Sequence, residues 1–313
     1  MKRVIFTIAA LLLLVGALAM AIAYAPDRPV ESLLVRWAPP PSAFMTVKGQ
    51  RVHYRDEGPR DDSLPLVLIH GTSASLHTWE GWVGALKNER RVISFDLPGF
   101  GLTGPSATGD YQGASYARFV LDLMDELKVG RFVVAGNSLG GEVAWRTALA
   151  APSRVERLIL VDAAGYAFEP KSVPIGFRIA RIPVLNRIFD FLLPRLLVDA
   201  SVRKVYGDPA RVTPALVDRY YELTLREGNR RALGERMRQM TPGAEAARIA
   251  GLKLPTLILW GGRDQLIPPE AARRFLADIT ASRLVMFDEL GHVPHEEDPA
   301  RTVAAVKPFL GIR

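Results

Sequence analysis

Gly136-Asn137-Ser138-Leu139-Gly140 leaves the chain little choice of local geometry, because a serine stands between glycines with a strand-like run before it and helix formers after it. Arg131-Phe132-Val133-Val134-Ala135 is short, apolar and β-branched, as a buried strand is. Glu142 to Ala150 reads as a helix. A chain that passes from strand to helix within so few residues forces the central residue into a strained backbone conformation. Only small neighbours permit it. The serine hydroxyl then projects from the tip of a strand, beside the positive end of a helix.

The surrounding pattern extends this unit into a sheet. Phe44 to Lys48 and Arg51 to Arg55, separated by Gly49-Gln50, read as an antiparallel hairpin. Apolar strands follow at Leu66–Ile69, Arg91–Phe95, Leu158–Val161, Thr256–Trp260 and Arg283–Phe287. Helical patterns separate them at Ser75–Leu86, Ala114–Leu127, Leu139–Ala150, Pro269–Ile279 and Pro299–Phe309. Continuous apolar strands alternating with helices predict a mostly parallel α/β sheet covered on both faces. From about Tyr166 to Ala250 the alternation stops, and only helical pieces separated by prolines remain. This predicts a helical insertion between two strands of the sheet.

Charge is concentrated in that insertion. Ala167 to Ala250 holds 15 Lys/Arg against nine Asp/Glu, while the whole chain carries a net charge of +7. No RNA- or DNA-binding motif accompanies it, so nucleic acid is not an expected partner. The basic segment is either an ordinary solvated face or a surface that touches anionic lipid. Cysteine is absent, which excludes disulfides and thiolate chemistry.

The N-terminus supplies the reason to consider lipid. Met1-Lys2-Arg3 precedes an uncharged apolar run from Val4 to Ala25, long enough to cross a bilayer as a helix and long for a signal peptide. Ala23-Tyr24-Ala25 and Ala21-Ile22-Ala23 resemble cleavage sites, although Pro26 is awkward directly after a cut. An uncleaved anchor is expected, with secretion after cleavage as the alternative. Lys2 and Arg3 then keep the N-terminus cytoplasmic and place the remainder in the periplasm or outside. Within residues 26–42, Leu33-Leu34-Val35-Arg36-Trp37 lies on the bilayer surface with Trp37 at headgroup depth, or the segment is a proline-stiffened linker.

A serine hydroxyl needs a base within reach and a group that orients that base. Of five histidines, His292 follows the strand ending at Phe287 and falls at the carboxyl edge of the sheet, where catalysis gathers. His295, beside Glu296 and Glu297, is expected on the surface at a helix start. Asp264, after the strand ending at Trp260, is the expected orienting acid, with Asp162 as its rival or as a cap on the turn into the insertion. Asp96 is expected to organise a turn. The order Ser138, Asp264, His292 matches serine–acid–histidine chemistry. Oxyanion donors are expected at the N–H of Leu139 and in the loop His70-Gly71-Thr72-Ser73, with Thr72 chosen over Ser73 and His70 fixing the loop.

Taken together, His70-Gly71, Asp96-Leu97-Pro98-Gly99-Phe100-Gly101, Gly136-Asn137-Ser138-Leu139-Gly140-Gly141, Trp260-Gly261-Gly262-Arg263-Asp264 and Gly291-His292 resemble, in order, the landmarks of the α/β-hydrolase superfamily. The resemblance runs from Phe44 to Arg313. It implies an α/β-hydrolase fold with an eight-stranded, mostly parallel sheet, a helical cap over the site that sets substrate choice, and no metal or organic cofactor. The expected organisation is a membrane segment at 1–25, a linker at 26–42, core at 43–165, cap at 166–250 and core again at 251–313. Family members that cleave carbon–carbon bonds of ring-fission products share this serine turn closely. They usually have a glycine-rich loop where this chain has Thr72-Ser73-Ala74-Ser75. Dehalogenases and epoxide hydrolases of the family use an aspartate where Ser138 stands.

The expected function is therefore a membrane-anchored serine hydrolase acting on carboxylic esters, lipid or acyl esters among them. The alternatives are a carbon–carbon hydrolase, a haloperoxidase-like enzyme, or a catalytically silent binding protein of the same fold. The last would lack a triad member, and none is missing. Phe177, Ile179, Ile182, Val184, Leu185, Ile188, Phe189, Phe191, Leu192 and Leu193 are apolar enough to line an acyl pocket or to pack the cap against the core.

Overall fold

The structure, a computed structural model, describes residues 2–167, 169–172 and 190–312. Its centre is an eight-stranded sheet in the order β1-β2-β4-β3-β5-β6-β7-β8. The strands are β1 (Ala43–Val47), β2 (Gln50–Glu57), β3 (Leu66–Ile69), β4 (Val92–Phe95), β5 (Phe132–Asn137), β6 (Val155–Val161), β7 (Thr256–Gly261) and β8 (Ser282–Phe287). β1, β2 and β4 pair antiparallel, and every pairing from β4 to β8 is parallel. Side chains alternate across the sheet with period two. Val67, Ile69 and Val134 pack on the side of α4 (Gly113–Glu126), α5 (Leu139–Ala150) and the later helix Glu270–Asp278. Leu66, Leu68, Val133 and Ala135 pack on the opposite side with Trp79, Trp82 and Val306, from the 3-10 turn Leu76–Trp79, α3 (Glu80–Leu86) and the last helix, Pro299–Leu310. Both faces are covered, which explains the apolar runs of the central strands.

β5 runs two residues further than its apolar stretch and ends at Asn137. Ser138 is therefore the first residue beyond the strand, at the carboxyl edge of the middle of the sheet.

Between β6 and β7 the described elements are α6 (Arg195–Val205), the 3-10 turn Pro209–Arg211, α7 (Pro214–Thr224), α8 (Asn229–Gln239) and the 3-10 turn Ala246–Gly251. Of the apolar residues considered for an acyl pocket, Phe177 to Phe189 lie outside the described residues. Leu193 is buried and Phe191 is exposed. The chain ends through α9 (Glu270–Asp278), α10 (Pro294–Glu297) and α11 (Pro299–Leu310).

α1 (Lys2–Ala23) contains the window Phe6–Ala23, whose mean hydropathy of 2.6 makes it long and apolar enough to cross a membrane. The segment after it is a helix fastened to the protein, where residues 26–42 were expected as a bilayer-surface stretch with Trp37 at headgroup depth or as a proline-stiffened linker. α2 (Glu31–Trp37) docks on the protein, burying Leu33 against Leu102 and Leu223. Trp37 Nε1 donates to Glu222 at 2.7 Å, so its polar end is committed to α7 and not to a headgroup layer. Arg36 bonds Glu222 at 2.7 Å, and Asp27 pairs with buried Arg230 at 2.5 Å. His77 Nε2 donates to the Trp37 carbonyl at 2.8 Å while its Nδ1 accepts from Ser75. Burial holds this imidazole neutral, with its pKa lowered to about 3. The cause of the difference is the pattern of α2: Leu33 faces inward while Arg36 and Trp37 find carboxylates, a pairing that only the tertiary fold supplies.

Candidate active site

Ser138 sits at φ 56° and ψ −116°, the strained turn the strand-to-helix passage demands. The glycines around it are required by contact. A Cβ on Gly136 would lie 2.0 Å from the Gly140 carbonyl oxygen, and one on Gly140 would lie 2.1 Å from the Ile69 carbonyl oxygen. Ser138 N–H donates to Val161 O at 3.1 Å, and its own carbonyl accepts from Ala164 N–H at 2.9 Å, so β6 holds the turn from both sides. Asn137 Nδ2 donates to Val161 O at 3.1 Å and to His292 O at 2.9 Å. The residue before the serine is thus fastened to the main chain of the histidine. That contact, with the asparagine amide as donor, has no signature in the sequence.

Asp264 ends the turn after β7, where Leu266 and Ile267 N–H groups donate to its Oδ1 at 2.8 and 3.0 Å. Its Oδ2 lies 2.7 Å from His292 Nδ1. The carboxylate accepts, so Nδ1 carries the proton and Nε2 keeps a lone pair, the tautomer a general base requires. The structure brings Asp264 and His292 into contact. Among the described residues it forms no hydrogen bond between the Ser138 hydroxyl and His292, and such links commonly tighten only when substrate binds.

Asp162 is fully buried at φ 43°. Its Oδ1 accepts from Gly261 N–H at 3.0 Å, so it ties β6 to β7 and does not cap the turn into the helical segment. Its Oδ2 has no hydrogen-bond partner among the described residues. One ligand-type atom each of Asp162, Asp264 and His292 lies within 4.8 Å of the others. The spacing would admit a metal ion, but the imidazole N–H is already shared with Asp264. Burial, and then the neighbouring Asp264 charge, raise the Asp162 pKa well above the ordinary carboxylate range.

Asp162 therefore binds its proton more tightly folded than unfolded. The stability this contributes is complete below the unfolded carboxylate pKa and is lost as pH rises through the raised folded value. Asp162→Asn carries no such dependence. Its melting temperature relative to the parent should rise between pH 4 and pH 8, and a constant difference across thermal melts would show that Asp162 is ionised.

The loop carrying His292 is built jointly by core and helical segment. His292 N–H donates to Val205 O, at the end of α6, at 2.7 Å. Glu297, which no motif marks, accepts from Gly291, Gly207 and Asp208 N–H at 2.8, 2.9 and 2.8 Å. Glu296 pairs with Arg219 of α7 at 2.8 Å and accepts from the Tyr206 hydroxyl at 2.7 Å. His295 does start a helix, but it is fully buried and not on the surface. It stacks on Trp79 at 4.0 Å and meets Thr78 Oγ1 at 3.0 Å. The acidic neighbours suggested solvent because most of their partners, Arg219 and the amides of Gly207 and Asp208, come from a distant part of the chain. Burial keeps His295 neutral, its pKa well below the ordinary value.

The loop after β3 reaches Ser138 from the other side. A Cβ on Gly71 would lie 3.1 Å from Ser138 Cβ. Leu97 N–H donates to His70 Nε2 at 2.9 Å, so the imidazole donates from Nδ1 to Gly71 O at 2.7 Å and fixes the loop as a neutral group. Thr72 follows, half-buried, and Ser73 adopts φ 59°. Leu139 is buried at the first turn of α5. Asp96 accepts from Leu76 and Leu102 N–H at 2.7 and 2.8 Å and pairs with His53 at 2.8 Å, organising the turn below this loop. A void of about 20 Å³ beside Ser73 and Ala74 is closed by Leu223 and Leu233, so α7 and α8 cover this loop. A wider cleft of about 700 Å³ opens beside Asp264 and Tyr206. Ser138 and His292 line neither space.

A strand-tip serine, an aspartate–histidine pair and this strand order together define a hydrolase architecture. The family model described as alpha/beta hydrolase fold matches residues 65–299. The chain belongs to the α/β-hydrolase family. It is similar to a 2-hydroxymuconate semialdehyde hydrolase of Pseudomonas sp., at 28% identity over 272 residues, covering 84% of this chain and 91% of that one. Lipase 3 of Moraxella sp. is 28% identical over 256 residues, covering 78% and 76%. The solved meta-cleavage product hydrolase of Pseudomonas fluorescens superposes with a TM-score of 0.75 at 26% identity, covering 86% of this chain and 97% of that one.

Proposed function

We propose that the protein is a serine hydrolase that cleaves carboxylic esters, with Ser138 as nucleophile, His292 as base and Asp264 as the group that orients it. The observation carrying this reading is the 2.7 Å Asp264–His292 bond, which leaves Nε2 free to take a proton at the edge where Ser138 stands. Ser138 Oγ attacks the ester carbonyl carbon as its proton passes to His292 Nε2. The N–H groups of Leu139 and Thr72 receive the oxyanion, and losing one such donor typically costs about 3 kcal/mol. His292 then protonates the departing alcohol. Water, deprotonated by the same nitrogen, attacks the acyl carbon, and His292 passes that proton to Ser138 Oγ as the acid leaves. The helical segment over the Ser73 turn acts as the cap and bounds the acyl side. α1 serves as an uncleaved anchor with its N-terminus cytoplasmic and the catalytic domain on the far side of the membrane.

Carbon–carbon hydrolysis of ring-fission products is the second reading, favoured by the two relatives of that activity. Nitrophenyl esters of graded acyl length, assayed beside a 2-hydroxy-6-oxo-dienoate, separate the two. Ester turnover exceeding dienoate turnover by at least about tenfold in kcat/KM is expected, a margin near 1.4 kcal/mol. Dienoate cleavage with no ester turnover replaces the ester reading.

A further inference from the structure

The helical segment is joined to the end of α1 by main-chain hydrogen bonds. Ala25 N–H donates to Phe191 O and Leu193 N–H donates to Ala23 O, each at 2.8 Å, around a bridge between Tyr24 and Leu192. Ala25 and Leu193 bury against Leu225 beneath that bridge. The domain does not hang from a loose tether. At 1.5 Å per residue α1 is about 33 Å long, close to the thickness of a bilayer's hydrocarbon core. With its apolar side chains in lipid, Tyr24 stands at headgroup level, where tyrosine is favoured.

Exposed apolar side chains gather at the same place. Among the described residues outside α1, five large ones are exposed: Tyr24, Val35, Phe191, Leu196 and Leu276. The first four are 59, 92, 61 and 77% exposed, and all belong to the anchor end or to segments bonded to it. Tyr24 and Phe191 flank the main-chain bridge, and Leu196 is in the first turn of α6. Val35 is on α2, which meets the start of α6 at Asp218, an acceptor for both Arg36 at 3.1 Å and Arg195 at 2.6 Å. The neighbouring basic groups are internally paired, Arg230 with Asp27 and Arg28 with Glu222 among them. A face built for water would show charges outward and apolar groups inward.

We propose that this edge, with Tyr24, Phe191, Leu196 and Val35, inserts into the headgroup–acyl boundary of the bilayer that α1 crosses, so that the cap rests on the membrane. The inference rests on reading α1 as a membrane helix. Its contact is apolar insertion, where the sequence had pointed to basic charge. The bilayer then becomes the phase from which an acyl substrate reaches Ser138.

The natural chain has no cysteine, so single cysteines report their own positions. Full-length Phe191→Cys, Leu196→Cys, Leu13→Cys and Gly130→Cys variants carry a nitroxide in phosphatidylcholine–phosphatidylglycerol vesicles. Gly130 lies just before β5, at the amino end of the strands, exposed and with open space around it. Relaxation by oxygen is compared with relaxation by a water-soluble nickel chelate. The oxygen-to-nickel ratio at 191 and 196 should exceed that at 130 several-fold and approach that at 13. Ratios at 191 and 196 equal to that at 130, with 13 lipid-buried, overturn the docking and leave the anchor standing. A water-exposed label at 13 overturns the anchor and the docking together.

Discussion

Ser138→Ala is expected to lower kcat on any ester the protein hydrolyses by about 10⁵-fold or more, as loss of a serine nucleophile does elsewhere. The reason is chemical and local. His292 keeps its bond to Asp264, the loop at Gly71 keeps its place, and only the oxygen that attacks is gone. The hydroxyl is half-buried and makes no structural hydrogen bond among the described residues, so the melting temperature should move by no more than about 2 °C. Stopped-assay kinetics with thermal melts on the same preparations check both halves. Undiminished turnover in a folded Ser138→Ala protein would remove Ser138 from the mechanism and with it the ester proposal's central step.

Gly140→Ala should have a large effect on the fold for a single methyl group. The added carbon would stand 2.1 Å from Ile69 O and 2.6 Å from His70 O. Both are backbone atoms of the strand and loop beneath the proposed oxyanion donors, so neither can rotate aside. α5 must move away from β3, and the turn at Ser138 moves with it. Overpacking of this kind costs roughly 3 kcal/mol or more, which corresponds to a fall of about 6 °C in melting temperature for a chain of this size. Gly84→Ala is the control, because nothing lies within 4 Å of the added carbon in α3. There alanine should raise stability by up to about 1 kcal/mol. Equal melting temperatures for the two variants would show that the turn tolerates a side chain at Gly140.

The middle of the sheet was legible because β3 to β7 carry apolar runs, and each is followed closely by a recognisable residue: His70, Asp96, Ser138, Asp162 or Asp264. The pairing of Asp264 with His292 could likewise be anticipated from strand order alone. What lay hidden was every contact made across the gap between the core and the residues bracketing it. Nothing near Glu296 and Glu297 reveals that Arg219 and the amides of Gly207 and Asp208 will meet them. His295 therefore read as a surface residue. The docking of α2 was hidden for the same reason, since Glu222 and Leu223 lie nearly two hundred residues further along the chain. Local pattern reports local structure, and these partners are not local.

Glu297 carries a consequence for how this protein can change over evolutionary time. Its one carboxylate holds Gly207 and Asp208 on one side and Gly291 on the other, directly before His292. The helical segment is consequently no interchangeable module. A segment grafted from a relative would bring its own 207–208 turn, and a mismatch there would misplace His292. Substrate range can drift through side chains elsewhere in the segment, while the 205–208 stretch is inherited with the histidine as a single unit.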